Sequence, residues 1–84
     1  MSYTIVWRPA PVAALRELRR LDPDTAKALA ATVGTLATDP RPANSRPLGS
    51  GQFRRLRLQN LRVLYEVSDE QETVYILKIG SAGR

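Results

Sequence analysis

The stretch Phe53–Ile79, FRRLRLQNLRVLYEVSDEQETVYILKI, decides the fold. Three short runs rich in Leu, Val, Tyr and Ile alternate with polar residues, as half-buried strands do, and polar turns at Gln59-Asn60 and Ser68–Glu72 separate them. A two-residue turn at Gln59-Asn60 sets Leu58 opposite Leu61, and the two-residue period of a strand fixes the remaining pairs. Leu56 then faces Val63, and Arg54 faces Tyr65, on one side of the sheet. Arg57 faces Arg62, and Arg55 faces Leu64, on the other. The first set is mostly apolar and belongs to the core, with Arg54 at its margin. The second gathers Arg55, Arg57 and Arg62 on the opposite face, where like charges directly opposed across strands require a compensating anion or partner. Arginine alternating with leucine is also the ordinary look of a strand with one solvated face. The concentration favours the anion reading: four arginines fall between Arg54 and Arg62 with no acid among them, and Glu66, the first acid afterwards, shares the face of Arg62 and Leu64.

Upstream, Tyr3–Arg8 (YTIVWR) reads as a first strand stopped by Pro9 and Pro11, with Trp7 as a core aromatic. Pairing with the Thr73–Ile79 strand is expected. From Pro11 to about Leu21, Ala14, Leu15, Leu18 and Leu21 mark the apolar side of a helix, while Arg16, Glu17, Arg19 and Arg20 cover the rest. Asp22 reads as the N-cap of a second helix, with Pro23 at its first position and Asp24 at the positive end of its dipole. That helix is expected to run to about Thr38 with Ala26, Leu29, Ala30, Val33, Leu36 and Ala37 as its stripe. So short a link predicts an antiparallel helix hairpin on one face of the sheet. Asp39–Gln52 (DPRPANSRPLGSGQ), rich in Pro and Gly, reads as a loop pinned by Leu48. The expected architecture is one α+β domain over residues 1–84: a four-stranded, largely antiparallel sheet with an N-terminal helix hairpin packed on one face.

Composition narrows the chemistry. The chain has 84 residues, 43% of them hydrophobic and 25% charged, which are ordinary globular values. Thirteen basic residues against eight acidic give a net charge of +5, and only Lys27 and Lys78 of the thirteen are lysines. An arginine bias suits bidentate recognition of phosphate or carboxylate, so a nucleic acid or an acidic protein is the leading ligand class. With neither Cys nor His, thiolate metal sites, zinc sites of the usual kind and the commonest general base at neutral pH are excluded. No cofactor and no metal are expected. No P-loop, dinucleotide fingerprint or nucleophile–base constellation is present. No signal-peptide pattern or membrane-length apolar run occurs, so a cytoplasmic protein with no membrane partner is expected. An enzyme built from Arg, Lys and Tyr can still cleave RNA, whose 2′-OH supplies the nucleophile while the protein orients the phosphate and stabilises its developing charge.

The order strand, helix hairpin, loop and three-stranded meander resembles the RelE/ParE superfamily of bacterial toxins, the toxic halves of type II toxin–antitoxin pairs. The resemblance is densest in Leu48–Gly80, which shows the family's leucine and glycine, basic strand, R-[VL]-[LIV]-Y run, acidic turn and last apolar strand closing on glycine. It is nearer the RelE branch, whose members enter the ribosomal A site and cut mRNA. This resemblance implies a ribosome-dependent endoribonuclease in which Arg62, with Arg55 and Arg57, handles the scissile phosphate. Arg54, Arg41, Arg46 and Lys78 are the additional RNA-binding candidates. The branch commonly carries a further Arg or His, and often a Tyr, after the last strand's glycine; this chain has Ser81, Ala82 and Gly83, leaving Arg84 as the substitute. Implied partners are a RelB-like, acidic cognate antitoxin, the ribosome and mRNA. The alternatives are a ParE-like inhibitor that poisons DNA gyrase by protein contacts, and a catalytically inactive relative.

Overall fold

A computed structural model of the chain describes residues 2–49 and 51–81. The meander adopts the register that alternation predicts. Strands β3 (Phe53–Leu58) and β4 (Leu61–Ser68) are antiparallel, pairing Leu58 with Leu61, Arg57 with Arg62, Leu56 with Val63, Arg55 with Leu64 and Arg54 with Tyr65. Gln59 takes the left-handed conformation (φ 54°) that the tight turn between them requires. Leu56, Val63, Tyr65 and Val67 are buried, together with Val74 and Ile76 of β5 (Thr73–Ser81).

The sheet has five strands rather than the four expected. Its order is β1-β5-β4-β3-β2, with β1 (Thr4–Trp7) parallel to β5 and the other neighbours antiparallel, so it is mixed. The additional strand, β2 (Ser45–Leu48), lies inside the segment read as a loop. SRPL shows no apolar alternation and contains a proline, two signals against a strand. An edge position removes the objection. The amide of Arg57 donates to Asn44 O (3.0 Å), so by the alternation of antiparallel ladders Pro47, opposite Arg54, occupies a non-hydrogen-bonded site whose missing N–H points off the sheet. The pairing expected for β1 is found, from Thr4 opposite Thr73 to Trp7 opposite Ile76.

A bulge interrupts the β4–β5 ladder: Leu64 pairs with Lys78 but Tyr65 with Ile76, leaving Leu77 unmatched. The extra residue reverses the parity of β5 on either side of it. Val74 and Ile76 point into the core, Ile79 packs against it, and Lys78 turns to the opposite face.

Helix α1 (Pro9–Leu21) begins two residues before the expected Pro11, with both prolines in the first turn, where an absent N–H costs nothing. Helix α2 (Pro23–Gly34) is capped as expected: Asp22 accepts from the Thr25 amide (3.2 Å) and the Thr25 hydroxyl (2.7 Å). It stops at Gly34 and tightens into a 3-10 turn over Thr35–Ala37 instead of continuing to Thr38. Ala26, Leu29, Val33 and Leu36 are buried, Leu15, Leu18 and Trp7 pack on the same core, and the helices occupy one face of the sheet. Leu21 departs from its expected place in the apolar stripe. As the last residue of α1 it is 66% exposed. Among the described residues no helix is long and apolar enough to cross a membrane.

Candidate nucleic-acid interface

With one face of the sheet covered by helices, the other presents a grid whose rows are set by the registers. One row runs across the strands as Lys78, Leu64, Arg55 and Arg46. The next, toward the β3–β4 turn, holds Gly80, Arg62 and Arg57, with Asn44 beside Arg57 through its backbone carbonyl. On the far side of the first lies a row of Tyr75, Glu66, Phe53 and Leu48. Rows are about 6.7 Å apart along the strands, and Lys78 to Arg46 spans three inter-strand steps, about 14 Å.

The first two of these rows, with Leu48 of the third, form a concave surface with two lobes. The larger, about 620 Å³, is lined by Arg46, Arg55, Arg57, Arg62, Asn44 and Gln59, among others. The smaller, about 280 Å³, is lined by Leu48, Leu64, Lys78 and Gly80 and shares Arg55 and Arg62 with the first. Those two arginines therefore stand at the centre of one continuous basic cleft. Arg57 and Arg62 form a non-hydrogen-bonded pair, the geometry that brings opposed side chains closest. The ion pairs among the described residues are Arg20–Glu17 and Arg41–Asp69, so none of the cleft's five cations is neutralised by a carboxylate. Glu66, the acid on the same face, makes no ion pair with the cluster.

The sequence-derived candidates separate into those inside the cleft and those outside. Arg55, Arg57, Arg62, Arg46 and Lys78 converge. Arg54 is on the other face: its Nε donates to Ser45 Oγ (3.0 Å) and its Nη2 to Ser45 O (3.4 Å), tying β3 to β2 from the core side. Arg41 lies at the opposite end of β4, where its guanidinium donates twice to the Asp69 carboxylate (2.8 and 3.3 Å). The Tyr3 hydroxyl donates to the same carboxylate (2.6 Å). Arg41 and then Tyr3 hold the Asp69 carboxyl below its ordinary pKa, and the hydrogen bond to Asp69 pushes the Tyr3 hydroxyl up. Arg84 lies outside the described residues. Asn44 and Gln59 were not foreseen, because their places depend on β2 and on the turn's conformation; only the turn carried a signal, as the polar dipeptide closing the hairpin.

A polar concavity rich in guanidinium groups has the chemistry to take phosphates in series, and no His, Asp or Glu lines its described part. Among the described residues no His, Cys, Asp and Glu cluster could hold a metal ion. Residues 5–84 match the sequence profile of the ParE toxin of type II toxin–antitoxin system, parDE. No curated protein is significantly similar in sequence. Among solved structures, the archaeal RelE–RelB complex from Pyrococcus horikoshii OT3 is 26% identical with a TM-score of 0.86, covering 100% of this chain and 99% of that one. The RelBE2 toxin–antitoxin complex from Mycobacterium tuberculosis is 27% identical, with a TM-score of 0.75 and 96% and 99% coverage. A metal-bound toxin from Helicobacter pylori is 28% identical, with a TM-score of 0.76 and 96% and 94% coverage. By the match over residues 5–84 and the shared fold, the chain belongs to the ParE toxin family of type II toxin–antitoxin systems, within the RelE/ParE superfamily.

Proposed function

We propose that this toxin is a ribosome-dependent mRNA endoribonuclease acting in the cytoplasm as one domain over residues 1–84. The observation that carries the reading is the cleft of five unneutralised cations centred on Arg55 and Arg62. A track about 14 Å long suits several consecutive phosphates of a single strand. In the reaction, the 2′-oxygen attacks the adjacent phosphorus and the bond to the 5′-oxygen breaks, leaving a 2′,3′-cyclic phosphate and a 5′-hydroxyl. Arg62 and Arg55 hold the non-bridging oxygens as their charge grows, and Arg57 and Arg46 hold the flanking phosphate. Arginine is a poor proton acceptor, so the proton from the 2′-hydroxyl passes to solvent or to ribosomal groups, which supports a ribosome-dependent rather than a free-standing enzyme. The departing 5′-oxygen takes its proton from solvent or ribosomal groups, and Arg84 remains the candidate for stabilising its charge.

A cognate antitoxin of the RelB type, acidic and amphipathic, fits the same face, since its carboxylates would relieve the Arg57–Arg62 repulsion. The relatives from P. horikoshii and M. tuberculosis were solved as a RelE–RelB complex and as the RelBE2 toxin–antitoxin complex.

One observation favours a second reading, inhibition of DNA gyrase by protein contacts: no His, Asp, Glu or Tyr stands in the described part of the cleft. Adding the purified toxin to a translating system, mapping mRNA 5′ ends and assaying gyrase supercoiling in parallel separates the two. Codon-phased cuts are expected, reduced about a hundredfold or more in Arg62→Ala. Intact mRNA with inhibited supercoiling would replace the nuclease by the gyrase inhibitor, and intact mRNA with unaffected gyrase would leave an inactive relative.

A further inference from the structure

We propose that Phe53 is a stacking platform for a base of the bound RNA, a positioning role that rests on the nuclease reading. Phe53 is 38% exposed although it lies on the sheet, and it shares a face with Arg55 two residues along β3. The separation of those side chains, about 6.7 Å, is comparable to that between the phosphate and the base of one nucleotide. Leu48, directly opposite Phe53, and Leu64, opposite Arg55, extend the apolar floor into the smaller lobe of the cleft. The other aromatic of the row is engaged: the Arg8 guanidinium covers the Tyr75 ring at 4.9 Å, and the Tyr75 hydroxyl donates to Gln71. Glu66 faces Phe53 across the ladder and has no ion-pair partner among the described residues. Its charge repels a phosphate from this row, so the phosphate settles on Arg55, Arg46 and Lys78 while the base lies over Phe53. The face thus fixes which way a nucleotide lies, something cations alone do not do.

The test is binding of two short single-stranded RNAs of equal length to the full chain at low salt, one of natural bases and one abasic, with the same number of phosphates. The wild type binds the base-bearing strand more tightly. Phe53→Ala and Phe53→Leu weaken that strand about tenfold, leave the abasic strand unchanged, and leave the salt dependence intact because every phosphate contact remains. Phe53→Tyr retains the affinity. The leucine variant keeps the apolar volume without a π face, so a merely structural role for Phe53 would show no loss in it. The proposal is overturned if both strands weaken equally, if neither does, or if the wild type binds no RNA. It is also overturned if Phe53→Ala binds RNA normally but no longer co-purifies with its antitoxin, which would make the platform a protein-docking face. Base-dependent binding lost in Phe53→Leu, together with intact mRNA in the translating system, would sink the nuclease reading while leaving the platform standing.

Discussion

Asp69 joins three segments of chain, since Tyr3 immediately precedes β1, Arg41 comes from the turn ahead of β2, and Asp69 itself from the β4–β5 turn. Its carboxyl is held below its ordinary pKa by Arg41 and then Tyr3, so the linkage contributes stability above the unfolded carboxyl's pKa and loses it as pH falls through the lowered folded value. Tyr3 has the opposite sign: its folded pKa is raised by Asp69, so its contribution is complete below about pH 10 and is lost as pH climbs through the raised value. Thermal melts across pH should therefore show an acid arm below about pH 4 that is blunted in Asp69→Asn, and an alkaline arm blunted in Tyr3→Phe. Unchanged arms in both variants would mean that solvent carries no net linkage through this contact. At this scale the sequence was legible where local geometry decides. Arg55, Arg57 and Arg62 came from parity once the hairpin was closed at Gln59-Asn60. Arg41 was not legible, because its acid lies far along the chain and only tertiary structure brings them together. Lys78 lay beyond parity as well, since an uninterrupted ladder would have sent it inward with Val74 and Ile76; the bulge is what turns it out.

The element that escaped sequence reasoning, β2, supplies Arg46 and sets Asn44 beside the cleft. Periodicity finds a strand by its apolar face, and SRPL has almost none. What holds this edge is a set of polar contacts. The buried Tyr65 hydroxyl donates to Pro40 O (2.7 Å), Ser45 Oγ donates to Pro42 O (2.8 Å), and Arg54 reaches Ser45 from behind. The parity argument put Arg54 at the core margin, and this contact explains why an arginine is tolerated there. Tyr65→Phe removes the donor to a carbonyl in the segment leading to β2 and should cost about 1 kcal/mol, measured by denaturant unfolding. Arg54→Met should do something different: amide hydrogen exchange should quicken over Ser45–Leu48, and RNA affinity should fall through Arg46, although Arg54 touches no RNA in the proposed complex. An Arg54→Met protein with unchanged exchange at β2 would refute that buttressing role. The helix hairpin was the most legible element, since Asp22-Pro23 carries its own start signal and the Ala26–Leu36 stripe its own period. Its ends differed: α1 starts at Pro9, Leu21 at its close is exposed, and Gly34 ends the α-helix of α2.

Across the whole molecule, charge is unevenly placed. Asp69, Glu70 and Glu72 crowd the β4–β5 turn at one end of the sheet, while Arg46, Arg55, Arg57, Arg62 and Lys78 occupy the other. The free toxin therefore carries a self-repelling face that an anionic ligand would neutralise. RNA affinity should fall with salt at a slope of about −0.7 per phosphate contacted, and each cleft arginine replaced by alanine should flatten the slope by about that amount. The same repulsion acts on folding. Arg57 and Arg62 are opposed at a non-hydrogen-bonded site, where side chains approach most closely, and neither meets a carboxylate among the described residues. Replacing Arg57 with threonine, a good strand former, should remove the repulsion and stabilise the free protein by about 0.5 kcal/mol at low salt, while weakening RNA binding. The gain should shrink as salt rises, because screening already relieves the wild type. Sulfate or a short polyanion should likewise raise the melting temperature of the wild type more than that of Arg57→Thr, since binding to the folded state alone stabilises it by mass action. If instead Arg57→Thr lowers stability at every salt concentration, Arg57 holds the sheet through its aliphatic stem. The conflict between folding and binding would then not lie at the Arg57–Arg62 pair.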